Sequence, residues 1–384
     1  MNVGLCCCYD NHNYGSMLQC LANYVAITDL GCECEIIRYR KQYSLFQKVK
    51  QIPRLFNGGN IRKMKRQFRA AQMARRYPAI AESRKLRDAC FDGFCKSTFT
   101  HLSEVRVGFE SLCRGSRAYD AVVVGSDQLW LPMGLPTNFY NLQFVAPGIR
   151  RISYATSFGV SGIPWYQRSR TARYLQKMDF LSVREDRGAQ ICRVVAGRDA
   201  EVVVDPTLLL SCEQWLDLIP NERRIAEPYI FCYFLGSNPL CRSEALALRA
   251  KTGFQVVTLR HLDDIIPSDE SFGDIAPYDV DPAGFVNLIR NATYVLTDSF
   301  HGSVFSIINH KPFATFYRFE QSDRQSRNSR IDSLLSHLGL EDRLVAEPDR
   351  LSEVLGAAID YRSVDKRLSE WSAASWDFLE RALN

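Results

Sequence analysis

The chain has no long apolar stretch. Its longest run, residues 229–235, has seven residues, whereas a membrane-spanning helix needs about twenty. The opening MNVGLCCCYDNHNYG lacks the basic start, apolar stretch and small-residue cleavage site of an export signal, so neither a span nor export is expected. No Cys-x-x-Cys pair occurs among the thirteen cysteines, which removes most zinc and dithiol readings. Their number is odd, their spacing is irregular, and Cys6, Cys7, Cys8 and Cys232 sit inside apolar runs. They read as reduced thiols acting as small hydrophobes, in a cytoplasmic protein. The Gly-x-Gly-x-x-Gly fingerprint of dinucleotide-binding turns is missing as well.

What is present is a globular composition, 46% hydrophobic and 24% charged over 384 residues, enough for two or three domains at roughly 150 residues each. Residues 3–8 read as a buried strand, residues 9–15 as a polar turn, and Met17, Leu18, Leu21, Val25 and Leu30 recur at helical spacing up to Gly31. A strand at residues 34–39 completes a βαβ opening. Residues 41–115 are basic and helical in character, broken by Pro53, Gly58-Gly59-Asn60 and Pro78. Strands then resume at residues 121–124, 152–156, 180–183 and 202–204, with helices over residues 166–178 and 186–195.

Residues 218–228, with two prolines and a cluster of charges, form the expected linker. Beyond them strands at residues 229–235, 255–259, 294–297 and 312–316 alternate with helices at residues 240–251, 282–290 and from His301. The fold class is α/β: two doubly wound, Rossmann-like domains, residues 1–217 and 229–363, facing a cleft. The last helix, residues 364–384, carries Leu368, Trp371, Trp376, Phe378 and Leu379 and is expected to pack back on the first domain.

The net charge of +5 hides an asymmetry. Between Ile36 and Asp88 sixteen Lys and Arg face two acids, a local +14, so the remainder carries −9. This basic segment suits either the anionic face of a membrane or salt bridges with the acidic remainder. Its aromatics are not interleaved as a stacking surface, so nucleic acid is not an expected partner.

In open α/β sheets ligands bind beyond the carboxyl ends of strands, which singles out five polar turns. In the last of them Asp298 and Ser299 are both good N-caps, placing His301 and Gly302 in a first helical turn that favours an anion, with Gly302 allowing close approach. His301 is then an acid, base or anion contact, or else a histidine packed inside the turn. Arg184, at a strand end, suits phosphate or carboxylate, or pairs with Glu185 or Asp186. Asn13, Tyr14 and Gly15 form a first βα turn, ligand-facing or merely tight. Ser126 and Asp127 either contact a sugar or cap a helix, and Asp205-Pro206-Thr207 is the remaining turn.

Six motifs together carry a resemblance: Asn13-Tyr14-Gly15 with Gln19; Val124-Gly125-Ser126-Asp127-Gln128-Leu129-Trp130; Ser153-Tyr154-Ala155 with Ser157-Phe158-Gly159; Ser182-Val183-Arg184-Glu185; Val204-Asp205-Pro206-Thr207; and Thr297-Asp298-Ser299-Phe300-His301-Gly302. In this order they resemble the polysaccharide pyruvyl transferase family from residue 3 to about residue 345. The resemblance implies a GT-B-like fold and transfer of pyruvate from phosphoenolpyruvate to a sugar of a cell-surface glycan, forming a ketal. It places Arg184 and His301 at the phosphoenolpyruvate site; Asn13, Tyr14, Gly15, Ser126, Asp127, Gln128, Asp205, Ser299 and Gly302 are expected beside them as substrate-binding residues.

Many members carry Arg-Leu-His-Gly where this chain has Ser299-Phe300-His301-Gly302, so Arg330 or Arg318 is expected to supply the missing anion-binding arginine. No metal or other cofactor is expected, and the acceptor is a sugar, free or linked to polyprenyl diphosphate at the inner face of the membrane. Two other functions fit a two-domain cleft: a glycosyltransferase using a nucleotide sugar, and a non-catalytic binder of a glycan or phosphorylated ligand, for which Ser299 is the suggestive feature.

Overall fold

The computed structural model describes residues 1–42, 78–132, 138–261, 266–319 and 328–384. The first part of the chain forms β1 (Asn2–Cys6), α1 (Tyr14–Asp29), β2 (Glu33–Ile36), β3 (Tyr39–Arg40), α2 (Pro78–Thr98), β4 (Arg106–Val107), α3 (Phe109–Gly115), β5 (Ala121–Gly125), β6 (Arg150–Tyr154), α4 (Arg168–Leu175), β7 (Phe180–Val183), α5 (Asp186–Ala196), β8 (Glu201–Val202) and α6 (Cys212–Leu218). The second forms β9 (Tyr229–Tyr233), α7 (Pro239–Thr252), β10 (Gln255–Thr258), α8 (Pro282–Asn291), β11 (Tyr294–Thr297), α9 (Phe300–Ile308), β12 (Phe313–Phe316), α10 (Ser329–Leu338), β13 (Leu344–Val345), α11 (Leu351–Gly356) and α12 (Tyr361–Leu383).

Two main parallel sheets result, ordered β2-β1-β5-β6-β7-β8 and β10-β9-β11-β12-β13, with β3 and β4 pairing as a separate two-stranded sheet. Their central strands β5 and β9 are buried at every position, as parallel strands covered by helices on both faces must be. The fold is therefore two Rossmann-like α/β domains. Tyr14, at the start of α1, joins them: its ring stacks on Phe285 at 4.8 Å and meets Tyr233 edge-on at 5.7 Å, and its hydroxyl donates to Val280 O.

α12 leaves the second domain and lies against the first. Trp371 Nε1 donates to Val202 O, Val204 N donates to Ser375 Oγ, and Phe378 packs on Tyr154 and Phe180. A strand over residues 202–204 is expected from the sequence; β8 instead covers Glu201–Val202, with Val203 N still donating to Val183 O of β7 and the Val204 amide turned to Ser375 Oγ. The strand expected at residues 34–39 is likewise divided, because beyond Ile36 the chain leaves β1 and pairs with β4 as β3. The helix expected over residues 166–178 begins with a 3-10 turn after Pro164 and ends at Leu175.

The expectation that every thiol is reduced is corrected. Cys7, just beyond β1, and Cys20, in α1, have Cα atoms 5.8 Å apart and are joined as a disulfide. Of the basic segment 36–88, residues 43–77 lie outside the described residues. Among the described residues no helix is long and apolar enough to cross a membrane.

Candidate active site

Each sheet reverses its winding once, between β1 and β5 in the first domain and between β9 and β11 in the second. The turns at these reversals, residues 7–13, 126–130, 234–238 and 298–299, are where ligands of such sheets bind.

Asp205 is the hub. It N-caps the 3-10 turn Pro206–Leu208, its Oδ1 accepting from Thr207 N at 3.2 Å and Thr207 Oγ1 at 2.7 Å. Its Oδ2 accepts from Ser126 Oγ at 2.9 Å and from Arg184 Nη1 at 2.7 Å. Arg184 follows β7 with its side chain fully buried; its Nη2 reaches Asp127 Oδ1 at 3.3 Å, and its Nε faces Glu185 Oε2 at 3.9 Å. Asp127 also accepts from Ser16 Oγ at 2.6 Å, and Ser126 N donates to Gln19 Oε1 at 2.8 Å. The first helical turns of α1 are thereby tied to the β5 turn. The ion pair that sequence alone leaves open for Arg184 forms, but chiefly with Asp205 and Asp127; Asp186 instead meets His337.

Burial raises the Asp205 carboxyl, yet His301, Arg184 and the Thr207 hydrogen bond outweigh it and hold Asp205 far below the usual carboxylate range. Asp127 follows the same pattern, with burial opposed by Arg184, His301 and Ser16, and ends lowered. Glu185 goes the other way: burial dominates over Arg184 and Arg330, and its carboxyl is raised.

His301 comes from the second domain, in the first turn of α9, and is buried. Its Nε2 stands 3.7 Å from Asp205 Oδ1, too far for a direct hydrogen bond, and has no other hydrogen-bond partner. The cap of α9 is Ser299, whose Oγ accepts from Gly302 N at 3.4 Å. Asp298, expected to share that role, instead accepts from Leu235 N and Gly236 N, each at 2.7 Å, and fixes the β9 turn.

The glycines serve packing. A Cβ on Gly15 would lie 2.0 Å from His301 Nδ1, so the bare Cα of α1 makes room for the imidazole across the domain boundary. A Cβ on Gly302 would lie 2.4 Å from Thr297 Oγ1, so this glycine serves helix-to-strand contact rather than ligand approach.

Phe300 turns its ring to Arg184, whose Cζ is 4.6 Å from the centroid, and Arg330 Cζ is 5.9 Å from the same centroid. Arg330 is buried and pushed down to about 9, first by burial and then by repulsion from Arg184 and Arg318; it stays charged at neutral pH. Arg318 Nη2 donates to Asp298 O at 3.0 Å. Both arginines expected to replace the missing one thus stand beside the Ser299-Phe300-His301 turn.

The other expected residues are placed otherwise. Asn13 caps α1 by accepting from Ser16 N at 3.0 Å, and Tyr14 is the interdomain packing residue described above. Gln128 lies over Gly159. No helix follows Ser126 and Asp127 among the described residues, which removes their capping alternative. Ser16 and Phe300 were not singled out by sequence reasoning. The signal for Ser16 was its place in the first turn after β1; that for Phe300 was an aromatic flanked by anion-binding candidates.

The acceptors of Asp205 and Asp298 are occupied by protein donors, while the buried Nε groups of Arg184 and Arg318 and the His301 Nε2 have no hydrogen-bond partner. Such a site suits a ligand rich in acceptor oxygens. Among the described residues no three His, Cys, Asp or Glu side chains are grouped to hold a metal ion.

Two Rossmann-like domains meeting at a buried Arg–Asp–His cluster give the molecule a GT-B-like, two-domain architecture. Within that class, the polysaccharide pyruvyl transferase profile matches residues 13–318, and the chain belongs to that family. No curated protein matches it in sequence. Solved structures similar to it include UDP-GlcNAc 2-epimerase from Methanocaldococcus jannaschii, with 12% identity, TM-score 0.49 and coverage of 94% of this chain and 93% of that one. A putative UDP-N-acetylglucosamine 2-epimerase from Listeria monocytogenes has 10% identity, TM-score 0.49 and coverage of 97% and 90%. The spinosyn rhamnosyltransferase SpnG has 10% identity, TM-score 0.40 and coverage of 100% of both chains.

Proposed function

We propose that the protein transfers pyruvate from phosphoenolpyruvate to two hydroxyls of a sugar in a cell-surface polysaccharide or its lipid-linked precursor, forming a ketal. The observation that carries this reading is the buried His301 Nε2, without a hydrogen-bond partner, beside Asp205, Arg184 and the Arg330–Arg318 pair. Phosphoenolpyruvate carries a phosphate and a carboxylate for the guanidinium groups and an enol carbon in need of a proton.

In this mechanism His301, protonated, gives its proton to C3 of the enol, and C2 becomes oxocarbenium-like. A sugar hydroxyl attacks C2 and its proton passes to His301. A second hydroxyl then attacks C2, the C2–O bond to phosphate breaks, and phosphate leaves with the second proton. Arg184, held by Asp205 and Asp127, stabilises the charge of phosphate and carboxylate throughout.

No bound cofactor enters these steps, and turnover is expected to survive dialysis against EDTA. The acceptor is a free or polyprenyl-diphosphate-linked sugar, and the basic segment 36–88 contacts the anionic inner face of the membrane, with no nucleic acid involved. Phosphate release from phosphoenolpyruvate in the presence of a panel of free and lipid-linked sugars tests the reading. Release that depends on acceptor supports it, and its absence with every acceptor overturns it.

A further inference from the structure

Away from the Arg184–His301 cluster, the first domain carries a cavity of about 440 Å³ between the loop joining β5 to β6 and helix α4. None of the residues lining it is acidic. Two guanidinium groups, Arg170 and Arg173, come from α4, and three amides, Asn138, Asn141 and Gln143, come from the loop. Phe109, 37% exposed at the start of α3, supplies an apolar face.

α4 itself, RSRTARYL, holds three arginines and no acid. Directly ahead of it Trp165 and Tyr166 are 82% and 56% exposed and meet edge-on at 5.9 Å. Two adjacent exposed aromatics make a contiguous apolar surface open to a ligand.

The chemistry of this region is specific. Amides and guanidinium forks hydrogen-bond the closely spaced oxygens of a polyol, guanidinium adds a bidentate partner for carboxylate, and aromatic faces cover the C–H face of a pyranose. The amides are only loosely engaged with each other, Asn141 Nδ2 to Asn138 Oδ1 at 3.5 Å and Gln143 N to Asn141 Oδ1 at 3.4 Å, while Arg170 Nη2 donates to Asn138 Oδ1 at 2.5 Å and fixes that corner of the cavity. A volume of 440 Å³ falls in the range of small-ligand sites. A flat membrane surface would have no use for an amide-lined cavity.

The loop begins at Ser126 and Asp127 of the candidate active site. Tyr174, on the cavity wall, packs on Trp130 at 5.5 Å, and Trp130 N donates to Ser157 O. The cavity therefore lies one aromatic layer behind the catalytic turn, in the same domain.

We propose that this cavity, together with the Trp165–Tyr166 platform that leads into α4, is a secondary site for a carboxylate-bearing stretch of glycan. In terms of the transfer reaction, on whose reading this role rests, it would hold an acidic part of the polymer while another sugar occupies the cleft.

Calorimetric titration of the full chain, without phosphoenolpyruvate, separates the two readings, because binding here needs no turnover. The probes are a hexasaccharide alternating glucuronic acid with N-acetylglucosamine, an oligosaccharide bearing pyruvate ketals, and neutral maltohexaose. The wild type is expected to bind at least one acidic probe more tightly than the neutral one. The loss of a charge-assisted hydrogen bond in Arg173→Ala, and separately of an amide in Asn141→Ala, should each weaken that binding about tenfold. Phosphate release with a monosaccharide acceptor should be unchanged in both variants.

Failure of both acidic probes to bind, or equal binding by wild type and both variants, overturns the proposal. So does Trp165→Ala if it abolishes sedimentation with anionic vesicles while leaving the acidic oligosaccharides bound as before, since the platform then serves a membrane. Absence of phosphate release with the oligosaccharide binding intact would instead overturn only the transfer reading.

Discussion

At the scale of single residues, His301 and Gly15 form a pair that spans the two domains. His301→Ala should lower phosphate release from phosphoenolpyruvate by about 10²–10⁴-fold, the contribution of a positioned acid or base, with little change in melting temperature. Gly15→Ala tests the same ring from the other side. Its new Cβ, 2.0 Å from His301 Nδ1, must displace the imidazole, and a shift of about 1 Å in a catalytic group costs on the order of 10²-fold in rate. Retained turnover in Gly15→Ala would show that the position of His301 does not matter. Phe300→Leu removes the ring facing Arg184 and lying near Arg330, a contact of about 1–2 kcal/mol when desolvated. It should raise KM for phosphoenolpyruvate more than it lowers kcat.

Asp205 connects the site to stability. Its folded carboxyl lies below the unfolded value, so its stabilisation is complete above the unfolded range near 3.8 and is lost as pH falls through the folded value. Asp205→Asn leaves Arg184 buried with one fewer carboxylate, at a cost of about 3–5 kcal/mol. Thermal unfolding of this variant should also change less between about pH 5 and pH 2 than that of the wild type. An unaltered acid-side profile would show that Asp205 is not the group responsible.

At the scale of elements, the strands and the helices after them were legible because each strand is a short apolar run closed by a polar or glycine turn, and because parallel sheets bury both faces. The turns holding Arg184, Asp205 and His301 were legible for the same reason, since each sits where a buried run stops. What could not be read was pairing across the chain. That Asp205 serves as N-cap, arginine partner and neighbour of His301 together depends on a meeting of residues from two domains. That the Val204 amide, just past β8, is met by a serine 171 residues away depends on the fold of the whole chain. The Cys7–Cys20 disulfide was missed because spacing says nothing of a strand end lying on the following helix. The cap of α9 was legible only as a choice between Asp298 and Ser299, and the β9 turn, which occupies Asp298, made it Ser299.

At the scale of the whole molecule, α12 is the last helix in sequence yet part of the first domain's packing. Phe378, Leu379 and Leu383 are buried there, each worth roughly 1.5–3 kcal/mol relative to exposure. A chain ending at Asp360 should therefore lose several kcal/mol, and scanning calorimetry should show the first domain melting earlier than in the full chain. An unchanged melting profile would mean that α12 only decorates the surface. Trp371→Phe is the milder form of the same test, because it keeps the packing and removes only the hydrogen bond to Val202 O.

The return of α12 has a mechanical consequence. The backbone passes between the domains twice, once through residues 219–228 and once on entering α12. Any movement of one domain against the other must therefore bend both crossings at once, so the return of α12 acts as a second tether across the cleft that holds His301 and Asp205.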